Sequence, residues 1–314
     1  MQWEDRIGRR LKLQDMHILL ATVQWGSMGK AADHLAISQP VVSRSIANLE
    51  RTLGVRLLDR SRGGIEPTIY GRALLAHGLA AFNELKQGVK AIEFLTDPSA
   101  GELRIGSTEP MAAGMLGVVI DRLSRKYPRL AFHVTTGFAP DMHDHELRER
   151  SVDLMIGRLP STKPAEDTDV EVLYYDRSYV VAGTRNRWTR RRKIDLAELI
   201  NEPWTHPPLD SFPGSRAAEA FRLHGLEVPR AVVTARSLQL QTTLLQTGRF
   251  LSILPQTMLH FNAQKLRLKA LPIELRLPPW PVGLVTLKNR TLNPIAQLFL
   301  RCAREITKPL ARSQ

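Results

Sequence analysis

The sequence contains one cysteine, Cys302, among its 314 residues. A single thiol cannot form an intramolecular disulfide or a thiolate cluster for zinc, so nothing in the sequence indicates an oxidising compartment. Long apolar runs are also missing, since the longest, residues 111–120, is too short to span a bilayer. The first six residues have no apolar core after their charges, so no signal peptide is predicted. These absences predict a cytoplasmic protein with no membrane partner.

Motifs of the common enzyme classes are missing too. There is no G-x-S-x-G nucleophile motif, no nucleotide-binding glycine loop and no Cys/His pair. Residues 141–146, with the sequence DMHDHE, do carry metal-binding side chain types. We interpret them as the start of a surface helix capped by Asp144, because no further cluster completes a metal site. The sequence therefore predicts no cofactor and no metal site, and an enzyme stays only as an alternative hypothesis.

The chain is basic, with a net charge of +13, which is typical of nucleic-acid-binding proteins. Residues 1–98 hold 13 basic and 10 acidic side chains, so most of the excess lies further along the chain. The densest basic run, residues 185–193, is interpreted as a solvated loop and helix start, with a second anion contact as the alternative. The total charge is therefore weak support for DNA binding.

A two-helix pattern occupies residues 26–50. The second helix is predicted to start at Ser38, which can accept a hydrogen bond from a first-turn amide, and Pro40 falls where no intrahelical N–H is needed. Apolar residues then recur at helical spacing along one face, at Val42, Ile46, Leu49 and Leu53. Because the polar residues fall elsewhere, the pattern favours a helix-turn-helix with an exposed recognition helix over an ordinary helical hairpin.

The segments on either side extend this motif. Residues 11–25 carry a helical apolar pattern, which predicts a first helix and a small three-helix core. Residues 57–67 predict two strands around a Gly-Gly turn. That hairpin carries Arg60 and Arg62 and can act as a wing that lies over the DNA backbone or reaches a minor groove.

A long helix is predicted from Thr68 to about Leu95. Its apolar residues recur at gaps of three and four, and such a stripe needs a second copy of the chain to cover it. Residues 96–101 then break the helix and are predicted to form a hinge. From Glu102 onward, strand and helix patterns alternate in two successive α/β sets. Residues 170–173 are predicted to open the second set, and a last strand and helix return to the first.

Taken together, these features resemble the LysR-type transcriptional regulators, a bacterial family, over nearly the whole chain. The likeness is strongest in residues 26–60, although Met28 and Gly29 depart from the aromatic and hydroxyl residues usual there. The residues in the family's order and spacing are Ala31-Ala32, Leu35, Ser38-Gln39-Pro40, Ser43-Arg44, Ile46, Leu49-Glu50, Leu53-Gly54-Val55 and Leu57-Leu58. Weaker likeness continues in residues 103–106, 127–128, 152–157 and 248–255.

The resemblance implies an α plus α/β fold class in three parts. These are a winged helix-turn-helix DNA-binding domain (1–67), a linker helix for dimerisation (68–97) and an effector-binding domain (98–314). The last is expected to be of the periplasmic-binding-protein type 2 kind, with lobe I at about 102–166 plus 270–314 and lobe II at about 167–269.

The family's DNA contacts map onto the recognition helix and the wing. Gln39 can pair with adenine, Pro40 can contact a thymine methyl group, and Arg44 suits guanine or phosphate. The predicted contacts to double-stranded DNA are Ser27, Lys30, Ser38, Gln39, Pro40, Ser43, Arg44, Arg60 and Arg62.

The effector is expected in the cleft between the lobes, because open α/β lobes bind ligands at the carboxyl ends of their strands. Ser107 and Thr108 follow the first strand, close to a helix amino end that can donate free N–H groups to an anion. The predicted effector-binding residues are Ser107, Thr108, Thr136, Thr205, His206, Thr247 and Phe250. Glu109 would repel an anion unless it faces away, so a small organic acid and a sugar-like molecule both stay open.

The sequence thus predicts a sequence-specific, effector-responsive regulator of transcription. As in the family, the expected assembly is a dimer or tetramer on an interrupted palindrome, with activation as the default and RNA polymerase as a further partner. The nearest rival is a non-specific architectural DNA-binding protein, which would not need a two-lobed ligand fold.

Overall fold

Two units make up the chain, Met1–Val89 and Lys90–Gln314. The computed structural model describes residues 10–61, 64–137, 146–159, 165–288 and 290–312, and only the backbone of Arg60 and Ser61. Within these ranges no helix is long and apolar enough to cross a membrane.

Three short helices and a hairpin form the first unit. They are α1 (Leu13–Trp25), α2 (Met28–His34), α3 (Gln39–Leu53), β1 (Leu58–Ser61) and its antiparallel partner β2 (Gly64–Pro67). Val42, Ile46 and Leu49 of α3 are buried in the core that α1 and α2 share, as their spacing predicted. Helix α4 (Ile69–Thr96) begins here, and the hydroxyl of Thr68 caps it by accepting a hydrogen bond from the N–H of Gly71 at 3.1 Å.

The second unit contains two five-stranded sheets with helices packed on them. Its strands are β3 (Ala100–Ser107), β4 (Arg129–Thr136), β5 (Leu154–Arg158), β6 (Thr168–Asp176), β7 (Ser178–Gly183), β8 (Trp204–His206), β9 (Ala231–Thr234), β10 (Leu251–Pro255), β11 (Leu268–Ala270) and β12 (Trp280–Leu287). Its helices are α5, which runs through Glu109–Met111, a π-helical turn at Ala112–Leu116 and Gly117–Lys126, then α6 (Phe212–Leu223), α7 (Leu238–Gln246), α8 (Gln256–Leu266) and α9 (Pro294–Arg312).

The first sheet has the strand order β4-β3-β5-β12-β6, and the second has the order β11-β7-β10-β8-β9. Strands β3, β4 and β5 are parallel, so their carboxyl ends meet at one edge of the first sheet. Strands β8, β9 and β10 are likewise parallel in the second sheet. Met111, Met115 and Phe299 are buried in the first core, and Trp204 packs edge-on against Phe221 in the second, with ring centroids 5.1 Å apart.

Strand β6 lies in the first sheet, although the sequence pattern placed residues 170–173 in the second set. It pairs with β12, and Asp176 stands opposite Trp280. Residues 271–275 were predicted in lobe I, but they belong to the second lobe, because Leu271, Ile273 and Leu275 are buried in its core. The chain therefore crosses between the lobes directly after Asp176 and again shortly before Trp280.

Candidate DNA-binding surface and effector cleft

Hydrogen bonds hold helix α3 in place within the first unit. The hydroxyl of Ser45 donates to the carboxylate of Asp15 on α1 at 2.6 Å. The carboxylate of Glu50 accepts hydrogen bonds from the N–H groups of Leu57 and Leu58, at 2.8 and 3.4 Å, where β1 begins. Because Glu50 joins α3 to the hairpin, the helix and the wing hold a fixed relative orientation.

Four of the predicted DNA contacts share the side of α3 that faces away from the core. Gln39, Pro40 and Arg44 are exposed and Ser43 is half-buried. Positions 39 and 43, and positions 40 and 44, are one helical turn apart, so these side chains lie on one surface. This surface offers an amide, an apolar ring, a hydroxyl and a guanidinium, which are the groups that read base edges and phosphates.

The remaining predicted contacts flank this surface. Ser27 caps α2 by accepting a hydrogen bond from the backbone N–H of Lys30 at 3.2 Å, and the side chain of Lys30 is exposed. Residue 60 lies on β1, and Arg62 lies outside the described residues.

The predicted side-chain cap at Ser38 is wrong. Its hydroxyl accepts no capping hydrogen bond in α3. Pro40 has no N–H to offer, and the N–H of Val41 bonds to the carbonyl oxygen of Ser38 at 3.0 Å instead. The exposed hydroxyl of Ser38 is therefore left for a ligand such as a phosphate oxygen.

In the second unit, the two sheets approach each other through Glu109. The carboxylate of Glu109, at the start of α5, accepts long hydrogen bonds from the N–H of Leu238 at 3.3 and 3.4 Å. Leu238 is the first residue of α7, and Ala235, three residues earlier, donates its N–H to the carbonyl of His206 at 3.1 Å. The carboxyl end of β3 thus faces the carboxyl end of β8, and we name the region between these two ends the interlobe cleft.

Four predicted effector residues lie at these two strand ends. Ser107 is fully buried, and its hydroxyl donates to the carbonyl of Thr108 at 3.2 Å. The imidazole Nδ1 of His206 is 2.8 Å from the carbonyl oxygen of Pro207. The hydroxyls of Thr108 and Thr205 are buried without a hydrogen-bond partner among the described residues. A buried hydroxyl without a hydrogen-bond partner carries a desolvation cost of about 1–3 kcal/mol, which a new partner would offset.

The other three predicted effector residues lie elsewhere. Thr136 is exposed at the end of β4. Thr247 and Phe250 precede β10, which is parallel to β8, so they lie near the opposite edge of the second sheet from His206. Phe250 is buried in the second lobe, and the hydroxyl of Thr247 donates to the carbonyl of Leu244 at 2.7 Å. The structure does not bring these three residues together with the other four.

The sequence analysis missed a buried polar cluster where the chain crosses between the lobes. Its members are Arg158, Tyr174, Asp176 and Thr257. The carboxylate of Asp176 accepts a hydrogen bond from the backbone N–H of Thr257 at 3.1 Å, and its other oxygen is 3.7 Å from Nη2 of Arg158. The hydroxyls of Tyr174 and Thr257 are 2.6 Å apart.

Burial dominates the electrostatics of this cluster. It raises the pKa of the Asp176 carboxyl above its ordinary value, although Arg158 acts in the opposite sense. Burial likewise lowers the pKa of Arg158 and raises that of Tyr174. The sequence did hold a signal for this site, since Arg158 ends the third parallel strand at the same edge as Ser107 and Thr136.

Two other charged segments give little evidence of a binding site. Residues 141–145 of the DMHDHE segment lie outside the described residues, and no group of three metal-binding side chains occurs in the part of the chain that is described. In the basic run, Arg187 pairs with Glu202 and Arg191 pairs with Glu198 at 3.3 Å. These acidic partners offset part of the positive charge of the run, as expected of a solvated loop.

A winged helix-turn-helix joined by a long helix to a two-sheet ligand-binding fold defines a DNA-binding regulator with an effector-binding domain. Comparison with family models identifies residues 13–72 as a bacterial regulatory helix-turn-helix of the lysR family and residues 96–308 as a LysR substrate binding domain. The chain therefore belongs to the LysR family of transcriptional regulators, and it is not an enzyme.

Individual relatives agree with this assignment along nearly the whole chain. The regulator GbpR of Azospirillum brasilense is 26% identical over 94% of this chain and 86% of its own length. A full-length OxyR variant from Pseudomonas aeruginosa superposes with a TM-score of 0.64 at 19% identity, covering 94% of this chain and 95% of the other. Full-length CbnR in complex with its target DNA gives a TM-score of 0.60 at 20% identity, covering 94% and 100%.

Proposed function

We propose that the protein is a transcriptional activator of the bacterial cytoplasm that binds an interrupted palindrome near its target genes. The observation that carries this proposal is the exposed side of α3, where Gln39, Pro40, Ser43 and Arg44 form one reading surface. Each chain offers one such helix, so two half-sites require at least two copies. RNA polymerase is the partner that an activator needs.

The linker helix supports the pairing of two copies into a dimer, and two such dimers make up the proposed tetramer. In the second half of α4, four large apolar side chains are more than half exposed, at Leu85, Val89, Ile92 and Leu95. Their spacing of three and four residues is that of a helix which packs along a second helix. A second copy of α4 would cover this stripe and bring two recognition helices to one DNA site.

Replacing Arg44 with Ala tests the DNA-binding surface. A lost guanidinium contact to a base or phosphate should weaken promoter binding by about 1–3 kcal/mol, roughly 5- to 150-fold. The measurement is fluorescence anisotropy at physiological salt with the DNA upstream of the protein's own gene. Arg125→Ala removes the same charge from an exposed helix position of the second unit and should leave affinity unchanged. Unchanged binding by the Arg44 variant would falsify the assignment of α3.

The effector is proposed to bind in the interlobe cleft, against Ser107, Thr108, Thr205 and His206. An effector that contacts both strand ends changes the angle between the lobes, and such domain closure is a common switching movement. This movement is the proposed origin of the regulatory response.

Replacing Thr205 with Val tests this role without knowledge of the effector. Removing a buried hydroxyl that has no partner should raise stability by about 1 kcal/mol, while a reporter fused to the target promoter should lose its response. Thr242→Val is the matched control, because that buried hydroxyl donates to the carbonyls of Leu238 and Gln239 at 3.0 and 2.9 Å. The control should lose stability. A Thr205 variant that is less stable yet fully responsive contradicts the proposal.

A further inference from the structure

Three separate parts of the chain meet at the end of the second lobe that lies away from the interlobe cleft. Strand β7 starts just after the crossing at Asp176 and ends at Gly183, at the far end of its sheet. Gly183 pairs with Leu268, where β11 begins. Ala182 pairs with Leu251, where β10 begins. The segments that precede β10 and β11 therefore lie beside the segment that follows β7.

Each of these three segments brings an exposed arginine to this end. Arg185 follows β7, Arg249 precedes β10 and Arg267 directly precedes β11. A Cβ atom added at Gly248 would lie 3.1 Å from Cβ of Arg185. The N–H of Thr184 donates to the carbonyl of Arg267 at 2.9 Å. The three arginines consequently share one surface.

The basic run that contains Arg185 is a solvated loop when considered alone, but hydrogen bonds hold it at this surface. Lys269 of β11 donates to the carbonyl of Thr189 at 2.7 Å. The buried side chain of Asn186 accepts the N–H of Trp188 at 3.0 Å. We name the exposed cations of the run that are not paired with an acid, together with the two arginines from the other segments, the distal basic patch. Its members are Arg185, Arg190, Arg192, Lys193, Arg249 and Arg267.

The charge of the distal basic patch is not neutralised within the described part of the chain. None of its six members has an ion-pair partner there. The acidic side chains that follow the run are already engaged, since Glu202 and Glu198 pair with Arg187 and Arg191. Asp195 caps the next helical turn. Like charges held close together repel one another, so an anionic partner would stabilise this surface.

The make-up of the patch favours nucleic acid over protein as that partner. No large apolar side chain is exposed in residues 184–193, 247–249 or 264–269, all of which the structure describes. Protein interfaces have an apolar core from which lysine is depleted, whereas phosphate backbones are contacted by arginine and lysine without such a core. Residues 1–98 hold only +3 of the net charge of +13. Most of the attraction of this chain for a duplex must therefore come from outside the DNA-binding unit.

We propose that the distal basic patch binds the phosphate backbone of duplex DNA that flanks the promoter site, without reading its sequence. This inference rests on the proposed function and adds to it a second DNA-contacting surface, which is separate from the effector cleft. Contacts between cations and phosphates release counterions, so the dependence of affinity on salt reports how many such contacts are made.

The test variant is Arg185→Gln/Arg249→Gln/Arg267→Gly in the full-length protein. The three side chains are exposed, and Arg267 ends α8 in the left-handed conformation with a φ of 51°. Glycine adopts this conformation without steric cost, so the variant should melt no lower than the wild type. The matched control is Arg301→Gln/Lys308→Gln/Arg312→Gln, which removes the same charge from exposed positions of α9 in the first lobe.

The measurement is fluorescence anisotropy over a range of salt concentrations, with the promoter duplex alone and with flanks of arbitrary sequence at both ends. The patch variant should lower the slope of log affinity against log salt by about three on the flanked duplex, roughly one for each lost contact. It should also lose the gain in affinity that the flanks give the wild type. The control should match the wild type in both respects. An unchanged slope in the patch variant overturns the inference.

Two further comparisons separate the alternatives. Poly-L-glutamate serves as a probe for an acidic protein partner. If the patch variant loses binding to this polymer but keeps the full salt slope on DNA, the patch binds protein and the inference is overturned. Arg44→Ala should lose the preference for promoter over arbitrary duplex and keep the gain from the flanks. A wild type with a patch-dependent slope but no preference for the promoter overturns the proposed function and leaves this inference standing.

Discussion

Replacing Arg290 with Met should destabilise the effector-binding domain by about 3–5 kcal/mol, because it leaves a buried carboxylate without its partner. Arg290 donates to Asp153 at 2.6 Å and to the carbonyl of Val152 at 2.8 Å. The two charged side chains are only 2% and 6% exposed. The other carboxylate oxygen of Asp153 accepts the N–H of Arg104 on β3 at 3.0 Å, so this pair anchors the strand that ends at Ser107.

Denaturation in urea, followed on the full chain, measures this loss. The matched control is Arg304→Met, since Arg304 makes a two-pronged contact to Glu171 with both distances at 2.7 Å. That pair is 47% and 42% exposed, so its removal should cost less than about 1 kcal/mol. Similar losses of unfolding free energy in the two variants would show that the contribution of the Asp153–Arg290 pair to stability does not depend on its burial.

The elements with a strong helical period were predictable from the sequence. The apolar spacing of α3 identifies its buried face directly, because Val42, Ile46 and Leu49 recur at helical period and are all buried. The cap at Ser38 was not predictable in the same way. Whether the N–H of Val41 bonds to the hydroxyl or to the carbonyl of Ser38 depends on local backbone geometry, which residue types do not specify.

The sequence pattern also did not predict which of the two sheets β6 joins. Residues 168–176 form an edge strand, and an edge strand shows the same alternation whichever sheet it joins. Its pairing partner, β12, lies more than a hundred residues later in the chain. The lobe boundaries depend on that long-range pairing.

The candidate effector site contains residues that the sequence predicted and a residue that it missed. The rule that ligands bind at the carboxyl ends of strands led to Ser107 and Thr205, whose strand ends the structure sets opposite each other. The same rule was not applied to β5, which ends at Arg158. The residues that follow Arg158 show no sequence pattern of their own that indicates a ligand site. The carboxylate of Asp176, the last residue of β6, lies 3.7 Å from Nη2 of Arg158, so this contact could not be predicted while β6 was assigned to the other sheet.

The glycines of α4 allow a sharp test of how the linker helix meets the wing. A Cβ atom at Gly71 would lie 2.0 Å from the carbonyl oxygen of Leu57 and 3.3 Å from Cβ of Pro67, so the first turn of α4 packs directly on the hairpin. Backbone cannot yield as a flexible side chain can. Gly71→Ala should therefore cost about 3 kcal/mol or more and weaken DNA binding, because the wing must shift.

Gly88→Ala, on the same helix, should act in the opposite direction. A Cβ atom there meets nothing within 4 Å, and Ala stabilises an exposed helix position by about 0.5–1 kcal/mol relative to Gly. The two variants make the same chemical change in one helix, so thermal unfolding and promoter binding separate the packing effect from helix propensity. A Gly71 variant that gains stability like the Gly88 variant would show that the first turn of α4 can move away from the hairpin without loss of stability.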